Sequence, residues 1–294
     1  MFSRILIANR GEIACRVIRT CRQMGIQTVA VYSEADQKAL HVRMADEAYS
    51  LGGSLPEDSY LNIKKIMELA SLAEVDAIHP GYGFLSQNSE FARACHVANI
   101  RFIGPSPEVM EKMGDKILAR KLAKKAGLQV IRGSDKEVSD SQAMKRAKRL
   151  GFPLMVKAAS GGGGIGIDIV QSEDELKAVI EKDRNLATHA FGSGRLYFEQ
   201  YLQDASHIEV QILADHHGNV LHLFDRDCSV QRRNQKLVEE GPAIKLNSKQ
   251  RNRLLNYALK FAKHINYTNA GTVEFLVSND GEIYFLEMNT RLQV

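Results

Sequence analysis

The stretch "PLMVKAASGGGGIGIDIV", residues 153–170, sets four consecutive glycines between two short apolar runs, with one lysine, Lys157, just upstream. A flexible linker is one reading of a glycine run. The flanks argue against it: "PLMVKA" and "IGIDIV" both read as β-strands, so the glycines join neighbouring strands rather than domains. At a hairpin tip, glycines leave backbone N–H groups open to an anion, with no Cβ in the way. Rival glycine motifs fail on context. Residues 161–166, "GGGGIG", match G-x-G-x-x-G in form, but a strand follows where a dinucleotide fold needs a helix. A Walker A loop places its lysine after the glycines, and Lys157 precedes them. A kinase-type hairpin also lies between strands, yet neither "HRD" nor "DFG" occurs. What remains is a glycine hairpin over nucleotide phosphates, with Lys157 on the entering strand as a phosphate ligand.

Upstream of the hairpin the rhythm is that of a parallel sheet. "RILIA", "TVAVYS", "VDAIHP" and "RFIGP" read as strands, alternating with amphipathic "GEIACRVIRTCRQMG", "YLNIKKIMELASLA" and "NSEFARACHVA". That alternation predicts a doubly wound α/β unit, with a loop after "TVAVYS". "ANRGE", residues 8–12, follows the first strand and opens a helix, where such a unit exposes a helix N-terminus to ligands. "HPGYGFLS", residues 79–86, follows another strand; on its own it is more often a structural turn than a site.

Beyond about residue 113 come helical "GDKILARKLAKKAG" and "SDSQAMKRAKRLG", the glycine hairpin, helical "EDELKAVIEKDRNLA" and the strand "RLYFEQYL". A third section alternates apolar and polar residues through "HIEVQILADHHGNVLHLFDRD", around a turn at "HHGN". The helix "SKQRNRLLNYALKFAKHI" separates it from "AGTVEFLVSNDGEIYFLEMNTR". Three lobes are expected, at 1–113, 114–203 and 204–294.

The 294 residues bear 39 Lys+Arg against 35 Asp+Glu, a +4 balance too mild and too evenly spread to point to nucleic acid, while an anionic substrate stays open. Cys15, Cys21, Cys95 and Cys228 have neither CxxC spacing nor the density of a disulfide scaffold, so reduced thiols are expected. No apolar stretch reaches the ~18 residues of a membrane span, and a soluble, cytoplasmic protein is expected.

Metal chemistry is suggested by the last hairpin. A two-residue turn at Asp280–Gly281 would pair Asn279 with Glu282 and, counting outward, Glu274 with Glu287. Carboxylates directly opposed across a strand pair repel. A divalent cation between them resolves this, and oxygen donors plus phosphate oxygens suit Mg²⁺. The competing reading is two solvated glutamates; Phe275, Leu276, Phe285 and Leu286 favour burial and hence the metal. Asn289, two residues past Glu287, is a further oxygen donor on the same face. "DCSVQRRNQKLVEEGPA", residues 227–243, has no clean period; a run such as Arg232, Arg233 and Lys236 is usually a solvated face. His207 and Glu209 share one face of a strand, and such a histidine is more often structural than catalytic.

In order, "ANRGEIACRVIRTCRQMGIQTVAVYSEAD", "SYLNI", "AIHPGYGFLS", "FIGPSPE", "MGDK", "KAASGGGGIG", "HIEVQ", "DCSVQRRNQK" and "FLEMNTRLQV" resemble biotin carboxylase, the ATP-grasp component of biotin-dependent carboxylases. The resemblance runs through the whole chain from residue 2. It implies a Rossmann-like pre-ATP-grasp domain, an ATP-grasp lid and an incomplete antiparallel α+β lobe. It implies a ligase forming a C–N bond in an acyl-CoA carboxylase: ATP phosphorylates bicarbonate to carboxyphosphate, and the CO₂ released from it is captured by N1′ of biotin. Implied cofactors are ATP, Mg²⁺ (with Mn²⁺ as a substitute) and biotin as carried substrate. Implied partners are a biotin carboxyl carrier domain or protein, a carboxyltransferase and, for the full-length protein, a second copy; neither nucleic acid nor membrane is implied.

Carried over by position, Lys116 and Lys157 contact ATP phosphates, and Gly161, Gly162, Gly163, Gly164 and Gly166 form the lid tip. Glu199 and the backbone near Leu202 read the adenine edge, while His207, Gln231 and Asn234 lie near ribose and phosphates. Glu274, Glu287 and Asn289 hold Mg²⁺. Lys236, Arg291, Gln293 and Val294 line the bicarbonate pocket, with Lys236 and Arg291 as the catalytic pair and Arg291 facing the biotin enolate. Three positions depart from the family. Asn234 stands for the histidine of "QRRHQK", Ile165 for a frequent Arg or Lys, and "EEGPA" for "EEAPA". Family sequences continue after "LQV" with a glutamate base and a further region bearing another active-site arginine, so impaired turnover of these 294 residues is expected. Two alternatives stay open, a nucleotide-binding module without turnover and another ATP-grasp ligase; "FLEMNTR" with "DCSVQRRNQK" disfavours the second.

Overall fold

The computed structural model describes residues 1–161 and 165–293. The chain divides into two compact units, one made of Met1–Glu111 with Tyr267–Gly271 and Thr290–Val294, the other of Lys112–Asn266 with Thr272–Asn289.

The first unit begins β1 (Arg4–Ile7), α1 (Gly11–Gln23), β2 (Gln27–Ser33), α2 (Leu40–Met44), β3 (Glu47–Gly52), α3 (Ile63–Leu72), β4 (Ala77–His79), α4 (Ser89–Val97) and β5 (Arg101–Phe102). Its strands pair in parallel in the order β3-β2-β1-β4-β5. The period of two along β1 makes this a doubly wound sheet. Ile5 and Ile7 pack with Ile13, Val17 and Ile18 of α1, while Leu6 packs on the other face with Ile66 of α3 and Phe91 of α4. The expected loop after β2 is in part the edge strand β3, whose mixed sequence "EAYSLG" and half-exposed burial leave little periodicity to read. Asn62 and Asn88 cap α3 and α4, accepting from the N–H groups of Lys65 and Phe91 at 3.0 and 2.8 Å.

The connection α5 (Pro107–Gly114) leads to α6 (Lys116–Lys125), capped by Asp115, and α7 (Asp140–Leu150). Next come β6 (Leu154–Ala158), β7 (Ile167–Val170), α8 (Glu173–Phe191) and β8 (Leu196–Gln200). These strands form the sheet β7-β6-β8, antiparallel throughout, so the glycine run does join two neighbouring strands. Leu154, Val156, Leu196 and Phe198 face α7 and α8 through Ala143, Ala147, Leu176 and Ile180. Alternation then sends Met155, Lys157, Tyr197 and Glu199 to the opposite face, where Tyr197 meets Ile117 of α6.

The remaining strands are β9 (Ser206–Ala214), β10 (Val220–Arg232), β11 (Gln235–Glu240), β12 (Asn269–Val277) and β13 (Ile283–Asn289), in the order β11-β10-β9-β12-β13, with α9 (Ser248–His264) between β11 and β12. The stretch without a clean period is thus the end of β10, a two-residue turn and β11. Arg233 and Asn234 form that turn with φ of +51° and +62°, a left-handed pair that closes a tight hairpin without the Asn-Gly signature. α9 carries an Asn247–Gln250 capping box and packs Phe261 against Phe285, the rings tilted by 56° with centroids 4.6 Å apart. With a parallel sheet and antiparallel ones, the fold is mixed α/β.

Candidate functional site

Within the second unit α6 joins both sheets, because Lys116 and Arg120 are one helical turn apart and share a face. Lys116 pairs with Glu287 of β13, and Arg120 with Glu199 of β8. Lys157 of β6 takes the other oxygen of Glu199 as its diagonal cross-strand neighbour. Lys157, Arg120 and Glu199 are each buried, as deeply as core leucines. Burial pushes the Glu199 carboxyl up, but Lys157 and Arg120 outweigh it and hold it below the ordinary carboxylate range. Burial likewise works against the Lys116 ammonium, and Glu287, Glu274 and Glu199 overcome it, so Lys116 is held charged.

The second half of the site hangs on Glu274. Its Oε2 accepts from His207 Nε2 at 2.7 Å, and its Oε1 from Lys236 Nζ at 2.7 Å and Asn289 Nδ2 at 2.6 Å. Gln231 Nε2 lies 2.7 Å from His207 Nδ1. Burial opposes ionisation of Glu274, but His207 and Lys236 prevail and bring it down to about 2. Lys236 also pairs with Glu209, which Arg226 holds from the other side. The basic run is therefore not one solvated face: Arg232 and Arg233 are exposed, while Lys236 turns inward to two buried carboxylates.

Glu274 and Glu287 are cross-strand partners, as counted from the sequence, though by a different route. The turn is wider than expected. Ser278, not Asn279, meets Glu282: Ser278 N donates to Glu282 O at 3.0 Å, Gly281 N to Ser278 O at 2.9 Å, and Gly281 takes φ of +86°. This three-residue loop with a left-handed glycine shifts the register by one. A bulge at Leu286 shifts it back between Phe275↔Phe285 and Glu274↔Glu287.

Other expected site residues lie elsewhere or apart. Leu202 is half-buried just past β8, and Asn234 sits exposed at the tip of the β10–β11 turn. Gly161 and Gly166 adopt φ of +93° and +68°, which suits a glycine turn, while Gly162, Gly163 and Gly164 fall outside the described residues, as does Val294. Arg291 and Gln293 belong to the first unit, where Arg291 Nη1 donates to Leu292 O at 2.8 Å and to Gln293 Oε1 at 3.1 Å. There Leu292 packs on the core with Ile13 and Val17, and Thr290 N donates to Gln87 Oε1 at 3.0 Å. In the same unit Asn9 Nδ2 donates to Pro80 O and Tyr82 O, each at 2.7 Å, so "ANRGE" and "HPGYG" are tied together beyond the neighbouring strands β1 and β4. Gly81 permits this, since a Cβ there would come within 2.8 Å of Asn9 Nδ2.

Arg120, Glu209 and Arg226 complete the cluster; Arg120 and Arg226 were not singled out from the sequence, and Glu209 is legible there only as sharing a strand face with His207. Arg120 could have been found from its i+4 spacing to Lys116; Arg226 carries no local signal. Glu274, Glu287 and Asn289 offer hard oxygen donors, two of them carboxylates and one held ionised, which fits Mg²⁺. Among the described residues Glu209, Cys228 and Glu239 also approach within 4.8 Å of one another, but Glu209 is already doubly paired and burial pushes the Cys228 thiol up, keeping it protonated. Also among the described residues, no helix is long and apolar enough to cross a membrane.

Comparison with known families adds two matches: residues 1–110 match the model "Biotin carboxylase, N-terminal domain", and residues 115–294 match "Carbamoyl-phosphate synthase L chain, ATP binding domain". The chain is 53% identical to Biotin carboxylase 2 of Bacillus subtilis over 295 aligned residues, covering 100% of this chain and 66% of that protein. It is 51% identical to the 2-oxoglutarate carboxylase small subunit of Hydrogenobacter thermophilus, covering 100% of this chain and 62% of that protein. A biotin carboxylase complex with β-γ-ATP from Campylobacter jejuni superposes with a TM-score of 0.98 at 50% identity, over 100% of this chain and 66% of that one. The biotin carboxylase domain dimer of Hydrogenobacter thermophilus 2-oxoglutarate carboxylase, in complex with MgADP, ADP and bicarbonate, gives 0.97 at 50% identity, over 100% and 65%. The chain thus spans just under two thirds of the length of these relatives.

Proposed function

This chain belongs to the biotin carboxylase family, and from that premise we propose that it binds ATP and bicarbonate and performs the ATP-dependent carboxylation of biotin. The observation that carries the reading is the meeting of Lys116 and Lys236 with the opposed Glu287 and Glu274, and of Lys157 with Glu199, inside one unit. Buried cations matched by buried carboxylates form a site ready to exchange protein carboxylates for phosphate oxygens. In ATP-grasp terms, Lys157 and Lys116 hold the phosphates under the glycine hairpin, from Gly161 through Gly166. Glu199 and the backbone near Leu202 read the adenine, with His207, Gln231 and Asn234 near the ribose and phosphates. Glu274, Glu287 and Asn289 would hold Mg²⁺, which when bound would supply positive charge beside the phosphates. Lys236 receives bicarbonate.

A bicarbonate oxygen then attacks the γ-phosphorus, the bond to ADP breaks, carboxyphosphate breaks down to CO₂ and phosphate, and N1′ of biotin captures the CO₂ as its proton passes to that phosphate. Lys236 supports this by holding anionic charge in a setting where burial favours the neutral amine but Glu274 and Glu209 keep it protonated. Biotin arrives on a carrier protein and the carboxyl group leaves to a carboxyltransferase. The parent enzyme is an acyl-CoA carboxylase working in the cytoplasm as a dimer, the assembly of the Hydrogenobacter relative. The test is ADP formation that requires both bicarbonate and biotin, measured for the chain and for Lys236→Ala. Loss of that dependence in the variant with ATP affinity kept supports the reading. ATP binding without any bicarbonate-dependent ADP in the unaltered chain would instead favour a module without turnover.

A further inference from the structure

Arg120 is held from several directions. Its Nη1 meets Glu199 Oε1, its Nη2 donates to Ile131 O at 2.7 Å, and its guanidinium lies 5.8 Å from the centre of the Tyr197 ring. Gly133 makes room for it: a Cβ there would approach Phe198 O to 2.4 Å and Arg120 Nη2 to 3.2 Å. Lys157, by contrast, meets the same carboxylate through its other oxygen, on a flexible stem.

The charge count around Glu199 is two cations to one carboxylate, with all three groups buried. Without Arg120, Lys157 and Glu199 would form a closed neutral pair. Drawing the ammonium toward a phosphate would then strand a buried carboxylate, which is strongly unfavourable. With Arg120 in place, Glu199 stays paired whatever Lys157 does, and the cluster keeps one positive charge to offer an anion.

We propose that Arg120 is a positioning residue for nucleotide binding, which by satisfying Glu199 frees the Lys157 ammonium for the phosphates of ATP. The inference rests on the reading that Lys157 meets those phosphates. It assigns Arg120 no contact with nucleotide; its effect is largest for ligands that carry phosphate.

The test compares ATP, by calorimetry, with adenosine, by competition, on the full chain. Arg120→Met should weaken ATP about tenfold, the equivalent of 1.4 kcal/mol, and adenosine, which also meets Glu199, by no more than about threefold. Arg120→Lys, which keeps the cation, should retain ATP affinity within about threefold. Equal weakening of ATP and adenosine overturns the proposal, because it marks a collapsed pocket, and so does an Arg120→Met chain that binds ATP normally. Where Arg120→Met fails to fold, the lysine variant decides: retained ATP affinity supports the proposal and a large loss overturns it. Lys157→Ala serves as the control. Unchanged ATP binding there removes the phosphate reading of Lys157 itself, whereas weakened ATP binding there with no effect of Arg120→Met removes only the role of Arg120.

Discussion

Glu274 and Glu287 stand directly opposite each other because β13 has one residue more than β12 between this pair and the turn, the bulged Leu286. With a regular ladder from the same turn, Leu286 would face Glu274 and Glu287 would sit one position further along, on the other side of the sheet. The bulge re-aims a carboxylate, a common use of bulges beside functional sites. Lys116 and Lys236 supply the compensating charge.

If that pair holds Mg²⁺, Glu274→Gln and Glu287→Gln should each weaken ATP binding about tenfold or more in the presence of Mg²⁺, one carboxylate ligand being lost. In EDTA the same variants should bind ATP no worse than the unaltered chain, since the lysines then face less negative charge. Calorimetry with and without the metal checks this. A loss of equal size in both conditions would remove the metal assignment.

Lys157→Ala removes a charge-assisted contact worth roughly 1.5–3 kcal/mol. ATP affinity should fall at least several-fold, while the fold survives because Arg120 still pairs Glu199. A calorimetric titration of the variant, with its thermal unfolding as the companion measurement, gives the answer.

Asp183 of α8 is fully buried, neither carboxylate oxygen meets a donor group, and Asp168 of the edge strand β7 lies against it. Burial first, and Asp168 second, push Asp183 up to about 7, while Lys182, 2.6 Å from Asp168, favours the ionised form of Asp168. The folded value lies above that of the unfolded chain. The stability it contributes is therefore complete below about pH 4, the unfolded value, and is lost as pH rises through about 7. Asp183→Asn, which keeps a donor for Asp168 without titrating, should stabilise the protein by ~1–3 kcal/mol at pH 8 and have little effect near pH 4. Urea unfolding at the two pH values measures the difference; an equal effect at both would exclude the shared proton.

Gly161→Ala should lower stability by ~1 kcal/mol or more, because φ of +93° is strained for any L side chain and a Cβ would meet the Phe191 ring at 2.3 Å. Gly192→Ala is the comparison: its φ of +68° is also left-handed, but nothing lies within 4 Å. Thermal unfolding of both separates backbone strain from the clash, the larger drop being expected at Gly161.

Local signals were enough for the glycine hairpin, the alternation of β1, β2, β4 and β5 with helices and the strand character of β12 and β13, since periods of two and 3.6 are written in consecutive residues, whereas β3 reads as a loop. The β10–β11 hairpin was not legible, because Arg233 and Asn234 adopt left-handed conformations without the glycine that normally signals them. Ordered motifs along the whole chain placed it among biotin carboxylases, and matches at residues 1–110 and 115–294 agree.

The sequence by itself determined which side chains alternate on each strand, and hence that Lys157 and Glu274 point away from their helices. Only the tertiary structure decided which charges neutralise them. Arg120, Lys116, Lys236 and Glu209 are distant in sequence from the groups they meet, and pairing at a distance depends on how α6 packs against two sheets and on the strand order β11-β10-β9-β12-β13, which no local pattern encodes. The opposition of Glu274 to Glu287 lies between these cases: two one-residue departures, a wider turn and a bulge, cancel, and the register they restore is set by the packing of Phe275 and Phe285.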